Sequence, residues 1–507
     1  MMSQSVAALT FVLALAHAGR SSPDAKANPV GPEAPPSTAG TASPRPGANQ
    51  PAPPVADGSQ DASQGVDGYR QAPAGPTVPR RSDWWRAFGD ARLDALIARG
   101  RDRSPDLAAA QSRIDEADAV VRQQLAPLLP QLTWDTSVTV APLDSLGFQF
   151  GGAPSGGGGG GMPAPDLPTL YYTGSSVLNL GVDLDVAGRQ RLQRRASRQD
   201  RRAGRADRDA AQWRMSASIV AAYYDVVTAR AQLVISARQV EVSEELLAVT
   251  EARFELGQAN AVDVLQQRQQ VASAKTLVPQ AQIQLRAFEQ RLAVLIGEPP
   301  GPSFDTVATL PDLPPAPHTG RPSELVRARP DLRAQQLRLE AARQRERGAK
   351  RAFAPSLRLT GRTGVQFIDL GDFNSQWFWN AGAVISVPLY DGGTNLARLR
   401  QSQAQTKTAG HQLHAAVLTA TREVEEALLR EREQRRVVEA LEAQWEAARV
   451  ALDETRRRYR SGLGAYLPVL TALNTAQQAE LGLVTARRDL LAARITLYQA
   501  LGDTPAP

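Results

Sequence analysis

The chain carries two copies of one sequence pattern, and this duplication constrains its fold more than any other feature. Ser-Pro-Asp-Leu at 104–107 returns as Arg-Pro-Asp-Leu at 329–332, and in both copies a second proline follows 25 positions after the first. From Gly188 onward the matched pairs lie 205 positions apart: Gly188 and Gly393, Arg253 and Arg458, Gly257 and Gly462, Val264 and Val469, Leu265 and Leu470. Each copy is therefore one structural unit of about 200 residues.

The repeats set the expected domain boundaries. We predict a first repeat at 80–297, a proline-rich connector at 298–323, a second repeat at 324–503 and a short tail at 504–507. The connector holds many prolines and so is not expected to form a helix.

The first residues look like a secretory signal rather than part of the fold. An apolar run at 6–16 precedes Ala16-His17-Ala18, which has the form of a signal-peptidase site. We therefore predict a signal peptide at 1–18. The segment 19–79 is rich in Pro, Ala and Gly, a composition that does not bury enough apolar surface to order a chain, and we predict it to be disordered.

Each repeat reads as helix, strand, strand, long helix and return helix. Polar and β-branched or aromatic residues alternate in four segments, which predicts strands at 132–140, 176–186, 357–367 and 377–389. Each segment is long enough to cross a bilayer as a tilted strand, which takes about 9–11 residues.

The longest segments predict antiparallel helical hairpins. Residues 189–256 and 261–296 form the first pair, and glycine ends the long helix in both repeats. Apolar residues recur at coiled-coil spacing in the first long helix (Ile219, Tyr223, Val226, Leu233, Ala237, Val240, Leu247) and in its counterpart (Val424, Leu428, Val438, Trp445, Leu452).

Four strands do not close a barrel, and an open strand edge is not tolerated in lipid. Two chains would give an eight-stranded barrel, whose interior is filled by side chains. Three chains would give a twelve-stranded barrel with room for a lumen. Closure therefore argues for an oligomer, and a conducting barrel argues for at least three chains. The fold class is predicted as mainly α with transmembrane β, built from long α-helical coiled coils and four β-strands per chain.

Composition excludes several kinds of chemistry. The chain has no cysteine, so disulfides and thiolate sites are ruled out. We find no phosphate-binding loop and no nucleophile elbow, and we expect neither an enzyme, a cofactor nor a metal site. Nine arginines fall within 189–208, but without interleaved aromatic residues this run favours a solvated helix start over nucleic-acid binding.

At this point a resemblance is plain. The chain resembles the TolC-like outer-membrane efflux protein family, in particular its drug-efflux and nodulation-type branch. The matching segments, in order, are Trp84-Trp85, Phe88-Gly89-Asp90, Leu93-Asp94-Ala95-Leu96-Ile97, Ser104-Pro105-Asp106-Leu107, Leu184-Asp185-Val186-Ala187-Gly188-Arg189, Leu292-Ala293-Val294-Leu295-Ile296-Gly297, Arg329-Pro330-Asp331-Leu332 and Val387-Pro388-Leu389-Tyr390-Asp391-Gly392-Gly393.

The resemblance implies a homotrimer in the lipid of the outer membrane. Four β-strands per chain would contribute to a trimeric twelve-stranded β-barrel, and a long α-helical coiled-coil barrel would extend as a tunnel into the periplasm. It implies the exit duct of a tripartite efflux system, passively conducting drugs or other small toxic compounds. A periplasmic adaptor and an inner-membrane transporter would be its partners. Many members of this branch carry a lipid-modified cysteine after the signal, and this chain has none. We therefore expect either that the barrel alone anchors it or that the true start of the chain differs.

The resemblance also implies that adaptors dock at the periplasmic tips of the two hairpins. The matching residues are Arg253, Phe254, Gly257, Val264 and Leu265 in the first repeat, and Arg458, Tyr459, Gly462, Val469 and Leu470 in the second. Some members place aspartates at the aperture just beyond the second tip. The matching positions here are Pro468 and Thr471, so an acidic, cation-sensitive gate is not expected.

Two other functions compete with the efflux duct. The same fold would serve as the outer-membrane channel of a protein secretion system, and sequence separates the two poorly because the partner pump selects the cargo. A soluble coiled-coil scaffold is the second alternative. It would lack paired barrel strands, and the four alternating segments in two equivalent positions speak against it.

Overall fold

The computed structural model describes residues 69–70, 77–78, 83–142, 170–301, 303–369 and 373–502. The predicted signal peptide at 1–18, most of the segment 19–79, the glycine run at 156–161 and the tail at 504–507 lie outside these ranges.

Both repeats follow the predicted element order. The first contains α1 (Ala91–Arg103), α2 (Pro105–Gln123), β1 (Gln131–Pro142), β2 (Leu170–Leu184), α3 (Arg189–Glu255) and α4 (Ala261–Leu295). The second contains α5 (Pro330–Lys350), β3 (Ser356–Asp369), β4 (Phe373–Ser386), α6 (Thr394–Arg460) and α7 (Tyr466–Leu501). Shorter helical turns lie at Trp84–Phe88, Ala126–Leu128, Pro322–Glu324, Leu325–Ala328 and Arg351–Phe353.

The four long strands form one antiparallel sheet in the order β1-β2-β3-β4. Their existence is confirmed, but their predicted bounds were shifted. The predicted strand at 377–389 is β4, which begins earlier and ends at Ser386. Pro388 follows two residues later and has no N–H to donate to a neighbouring strand. Within the described residues, β1 and β4 each have a strand neighbour on one side only.

The two faces of this sheet differ in polarity. Residues directly opposite on neighbouring strands point to the same face. One row across the sheet is polar throughout and consists of Thr133, Asn179, Arg362 and Asn380. The next row is largely apolar and consists of Trp134, Leu178, Thr363 and Trp379. A sheet of this kind separates an apolar surrounding from a wet one.

Hydrogen bonds and an ion pair connect the strands on the polar face. Asn179 donates from Nδ2 to Asp135 Oδ2 over 2.7 Å, and Arg362 Nε donates to Asn179 Oδ1 over 2.8 Å. Arg358 lies 3.4 Å from Asp183 on the same face. These charges lie on a face whose neighbours are polar, so the sheet tolerates them only where that face is hydrated.

Below the sheet, α3 and α6 are the longest helices. Each has 67 residues and so extends about 100 Å at 1.5 Å per residue. Each returns through the shorter antiparallel helix, α4 or α7, that follows it. No helix in the described ranges is both long and apolar enough to cross a membrane.

The coiled-coil positions predicted for α3 are buried near the middle of the helix, but near the turn the buried face is a different one. Ile219, Tyr223 and Val226 are buried as predicted, but Ala237 is exposed. The buried positions there are one residue earlier in register: Ser236, Gln239, Ser243, Leu246 and Thr250. The physical reason is that the second hairpin packs on α3 through polar contacts, which an apolar pattern does not record. Gln239 Nε2, for example, donates to the Gln477 carbonyl over 3.3 Å.

The main core lies where α1, α3, α4 and α7 meet. Trp84, Trp85 and Phe88 are buried there, and the Trp84 ring stacks on Tyr498 with centroids 4.9 Å apart. Tyr223 on α3 donates its hydroxyl to Asp90, the residue that caps α1. This core joins the first repeat to the last helix of the second.

Four residues of the segment 19–79, at 69–70 and 77–78, are described and contact the helices and the connector. Tyr69 is buried against Leu325 and Leu332, and the Arg70 N–H donates to Glu425 Oε1 over 2.7 Å. Thr77–Val78 pairs in parallel with Ala316–Pro317 of the connector. A single aromatic side chain supplies enough apolar area to dock locally, which a composition averaged over the whole segment conceals.

Two arginines fix the connector to the helices. Arg230 on α3 donates to the Phe304 carbonyl over 2.6 Å and to the Thr306 carbonyl over 2.8 Å. Arg494 on α7 is fully buried, donates to the Pro314 carbonyl and pairs with Glu431 at 2.6 Å. Since the connector's prolines bring no N–H of their own, these guanidinium groups satisfy its carbonyls.

Candidate functional site: the two hairpin tips

The candidate site comprises the turns that end the two helical hairpins, at 256–260 and 461–465. Gly257 (φ 69°) and Gly462 (φ 80°) occupy the left-handed region that glycine enters at no steric cost. In each turn an N–H beyond the glycine closes the helix end: Gln258 donates to the Arg253 carbonyl over 2.8 Å, and Leu463 to that of Arg458 over 2.9 Å. The matched glycines therefore build the same turn twice.

The helices leaving these turns begin differently. Asn260 accepts from the Val262 N–H, and Asp263 accepts from the Asn260 N–H, each over 3.3 Å, which makes a capping box at the start of α4. At the start of α7 the position matched to Asp263 is Pro468, and Ala465 supplies no side-chain cap. The second tip consequently carries no carboxylate at this position.

The two tips contact each other through one cation–aromatic pair. The Arg253 guanidinium lies over the Tyr459 ring, 4.4 Å from its centroid, and also donates to the Tyr459 carbonyl. Tyr459 is 2% exposed, and its hydroxyl lies 3.4 Å from Thr250 Oγ1. Arg253 thus bridges the end of α3 to the end of α6.

A buried polar chain continues this contact away from the turns. Tyr466 donates its hydroxyl to Gln267 Oε1 over 2.8 Å, and Gln267 Nε2 donates to the Ser243 carbonyl over 2.8 Å. Burial raises the pKa of Tyr466 to about 12, so its hydroxyl stays protonated as a donor. These two hydrogen bonds join α7, α4 and α3 through buried polar groups.

Of the ten residues predicted at the tips, some support the turn and some are free to meet a partner. Val264, Val469 and Tyr459 are buried inside the hairpins and so position the turns. Leu470 is half-buried against the same cluster. The exposed members are Phe254, Leu265, Arg458 and the two glycines.

Duplicated positions differ in burial here. Phe254 is exposed whereas its counterpart Tyr459 is buried, and Leu265 is exposed whereas Leu470 is half-buried. The reason is that the side of the second hairpin bearing Tyr459 faces α3 of the first hairpin, while the matched side of the first hairpin faces outward within one chain.

Four further exposed apolar residues of the tips were not among the ten predicted contact residues. Leu256, Val262, Leu463 and Leu467 all project there, and Leu463 is 81% exposed. With Phe254 and Leu265 they form an apolar tip surface. These residues fall outside the seam positions but beside a turn glycine, and that combination would have identified them.

The predicted aperture residues line a surface groove. Pro468 and Thr471 border it with Leu467, Ala472 and Thr475 of α7, and with Ala448 and Ala451 of α6; its volume is about 470 Å³. Small side chains on α6 leave the space open. The groove therefore continues the apolar tip surface up the second hairpin.

The sequence matches a known family across both repeats. A sequence profile described as "Outer membrane efflux protein" matches residues 96–298 and 322–503. Among characterised proteins, the chain is 27% identical over 420 residues to the pyoverdine export outer membrane protein OpmQ of Pseudomonas putida, covering 83% of this chain and 87% of that one. It is 29% identical to OpmQ of Pseudomonas aeruginosa over 83% and 86% of the two chains.

Solved structures show the same architecture. The outer-membrane channel OprN superposes with a TM-score of 0.72 at 26% identity, over 86% of this chain and 94% of that chain. The described strands and helical hairpins thus superpose on most of an outer-membrane channel. With the profile match over both repeats, they establish that this chain belongs to the outer membrane efflux protein family.

Proposed function

We propose that this chain is the exit duct of a tripartite efflux system, passively conducting drugs or other small toxic compounds out of the periplasm. In this proposal three chains close a twelve-stranded barrel from the strands of the repeats at 80–297 and 324–503. The observation that carries the proposal is the two-faced sheet above two long helical hairpins. A duct needs a hydrated interior, a lipid-compatible exterior and a way to meet a periplasmic supplier.

The polar face of the sheet supplies the interior. Asp135, Arg362, Asp183 and Arg358 lie on that face, partly neutralising one another. A hydrated wall with balanced charge lets solutes of either sign pass, so selection is left to the pump. Relatives named for pyoverdine export fit a small-molecule cargo for this chain as well.

The apolar tip surface supplies the docking site. We assign adaptor contact to its exposed members, chiefly Leu265, Leu463 and Leu467, and a supporting role to Arg253 and Tyr459. Exposed leucines at the end of a hairpin are poorly placed in water and gain from burial against a partner, by about 25 cal/mol for each Å² covered. Pro468 and Thr471 would then border the aperture.

The test replaces the tip leucines in cells that depend on this protein. Leu265→Asp combined with Leu467→Asp should abolish resistance to the pump's compounds, because a carboxylate at a buried interface is costly. The protein level in the outer membrane should not change, since both side chains are more than half exposed in the chain. Crosslinking to the adaptor should fall in parallel.

The control pair is Leu265→Met with Leu467→Met, which keeps the apolar surface and should keep resistance. Resistance that survives the aspartate pair would refute docking at this surface. In the same strains, secreted proteins are measured beside compound retention. Loss of secreted protein with unchanged drug sensitivity would replace the efflux assignment by a protein secretion channel.

A further inference from the structure

The start of α3 carries an exposed stripe of arginine that the duct function does not use. Arg191, Arg195, Arg198, Arg202 and Arg205 follow one another at intervals of four and three residues, and all five are exposed. That spacing places them on one face of the helix. We call them the arginine stripe.

Within the described ranges, ion pairs take up only a small part of this charge. Arg191 lies 3.9 Å from Asp185, and Arg202 donates to Gln199 over 3.3 Å, but Arg195, Arg198 and Arg205 form no ion pair with any residue the structure describes. The first turn of α3 contains no acidic residue. Cations at a helix N-terminus oppose the helix dipole, so the fold gains nothing from them there.

Near its start α3 packs against α2 and α5, and the stripe points at neither of them. Asp200 and Asp207 face α5, where they pair with Arg345 and Arg338. Arg201 faces α2 and lies 2.8 Å from Asp118. At about 100° per residue the centre of the stripe lies about 170° from the direction of α5 and about 80° from that of α2, and so within about 45° of the direction opposite the midpoint of these two neighbours.

That direction is the outer side of a closed wall. Helices arranged in a ring have both neighbours displaced toward the concave side, so the face opposite the neighbours is convex. The family's helical tunnel is such a ring, and the stripe therefore lies on its outside rather than in its lumen.

A second basic patch lies at the same level on α5. Arg345 contacts α3 and Glu346 contacts Thr406 of α6, which leaves Arg343 and Arg347 on the face away from both neighbours, while Lys350 pairs with Glu346 at 2.9 Å. Arg343, Arg347 and Lys350 are all exposed. The last turn of α5 lies beside the first turn of α3: a Cβ placed on Gly348 would be 3.8 Å from the Arg189 carbonyl oxygen.

The height of the stripe matches a membrane surface. β2 ends at Leu184 and α3 begins at Arg189, so Arg191, Arg195 and Arg198 lie within about 14 Å of the helix start at 1.5 Å per residue. Arginine side chains extend toward a membrane surface, and the surface field reaches about 8 Å into solution. Arg202 and Arg205 are farther away, about 20–24 Å below the start of the helix.

We propose that Arg191, Arg195 and Arg198, with Arg343 and Arg347 beside them, form a collar that binds the phosphate-bearing headgroups of anionic phospholipids in the membrane leaflet facing the helices. The inference rests on the sheet lying in the outer membrane, as the duct function requires. The collar would fix how deeply the barrel sits and hold anionic lipid around it.

The test compares lipids retained by the full-length protein. Wild-type protein is reconstituted in vesicles with equal amounts of phosphatidylglycerol and phosphatidylcholine, released into mild detergent and examined by native mass spectrometry. We expect phosphatidylglycerol to predominate among bound lipids. Replacing Arg191, Arg195 and Arg198 together by Gln should lower its ratio to phosphatidylcholine about tenfold or more, since each arginine near an anionic surface favours it severalfold.

Two control variants test whether the change in lipid ratio depends on the distance of the arginines from the membrane and on their charge. Arg202→Gln with Arg205→Gln removes charge from the same face farther from the membrane and should leave the ratio unchanged. The triple lysine variant at the first three positions should also retain it. Equal retention of both lipids by wild-type protein, or an equal loss from the Arg202 and Arg205 pair, would overturn the collar.

Export is measured on the same variants to separate this proposal from the duct function. An unchanged lipid ratio in the triple glutamine variant, with slower export of anionic compounds than of neutral ones, would place the stripe in the lumen and refute the collar while leaving the duct intact. If the wild-type protein exported no compound, the duct function would be refuted, and the lipid ratios alone would decide whether the collar exists.

Discussion

At the scale of single residues, the duplicated Pro-Asp-Leu motif at 105–107 and 330–332 makes different contacts in its two copies. In the second copy Arg329 donates to Asp331 over 2.8 Å and to Glu423 over 2.7 Å, and its guanidinium also reaches the Ala500 carbonyl over 3.1 Å. The motif therefore ties α5 to α6 and to the end of α7. Asp106, the matched acid in the first repeat, lies in the first turn of α2 and makes no such bridge among the described residues.

This difference predicts a pH-dependent stability. Burial alone would raise the pKa of Asp331, but the hydrogen bond and charge of Arg329 outweigh it and hold that pKa below its usual value. A carboxyl whose pKa is lower in the folded state stabilises the protein at neutral pH and loses that effect as the pH falls through its folded pKa. Asp331→Asn should therefore lower the melting temperature at neutral pH and have little effect in strong acid.

Solvent limits the size of the effect. The Asp331 side chain is 38% exposed, so screening reduces the loss to about 1 kcal/mol per chain. The measurement is a thermal melt of the detergent-solubilised protein across a pH series, with Asp106→Asn as control. If the melting temperature of Asp331→Asn lay below that of the wild type by the same amount down to acid pH, the assigned role of Arg329 would be contradicted. An equal loss of melting temperature in Asp106→Asn would contradict it as well.

At the scale of elements, the long helices were predictable and their contacts were not. Alternation, turn glycines and the 205-residue offset located all four strands and both hairpins, because these depend on local chemistry. The buried face of α3 near the tip depends instead on Ser243, Gln239 and Thr250, which are polar. The Ser243 and Thr250 hydroxyls donate to carbonyls four residues earlier in α3, so their burial needs no apolar pattern. Gln239 donates instead to the Gln477 carbonyl of α7, an element distant in sequence.

The same limit applies to the candidate site. The two turns could be predicted from their glycines, but the contact of Arg253 with Tyr459 could not, since the matched pair Arg458 and Phe254 makes no equivalent contact. Two identical patterns become different surfaces once one hairpin packs against the other. Tertiary packing, which the duplication does not encode, decides which copy faces a partner.

The tip turn itself gives an element-scale prediction. Gly257→Ala should destabilise the hairpin end by about 1–2 kcal/mol, because its φ of 69° is costly for any residue with a Cβ. No atom lies within 4 Å of the added methyl group, so the cost is conformational rather than steric. Hydrogen exchange of amides next to the turn should accelerate correspondingly.

Gly410 in the middle of α6 is the matched control. It has ordinary helical geometry and also leaves a Cβ without neighbours within 4 Å. Gly410→Ala should stabilise the protein by about 0.5–1 kcal/mol, since glycine is a poorer helix former than alanine. Faster exchange at the tip in this variant, or unchanged exchange in Gly257→Ala, would show that the turn is not held by its glycine.

At the scale of the whole molecule, the sheet is the part that one chain leaves incomplete. In the part of the chain that the structure describes, β1 and β4 each pair with a strand on one side, and an open strand edge would leave its N–H and C=O groups without hydrogen-bond partners in lipid. Closure by other copies would join β1 of one chain to β4 of the next. The two edge strands are antiparallel in such a ring, which places residues of equal height side by side.

This closure predicts a specific crosslink. Ser137 on β1 and Asn380 on β4 lie on the polar face, each six residues from the helix-side end of its strand. With Ser137→Cys and Asn380→Cys in one chain, which has no native cysteine, a bis-maleimide reaching about 8 Å spans one gap between strands but not the three gaps within a chain, since strands lie about 4.8 Å apart. Covalent dimers and trimers should form in isolated membranes.

The ladder of products reads out the number of chains. A ring of three gives bands at two and three chains and none above, whereas a ring of two stops at the dimer and an open assembly continues beyond three. Either single variant should stay monomeric, because identical positions in a three-chain ring are four strands apart, about 19 Å along the wall. A double variant without intermolecular products would mean that these edges do not meet, and the lumen would then require a different closure.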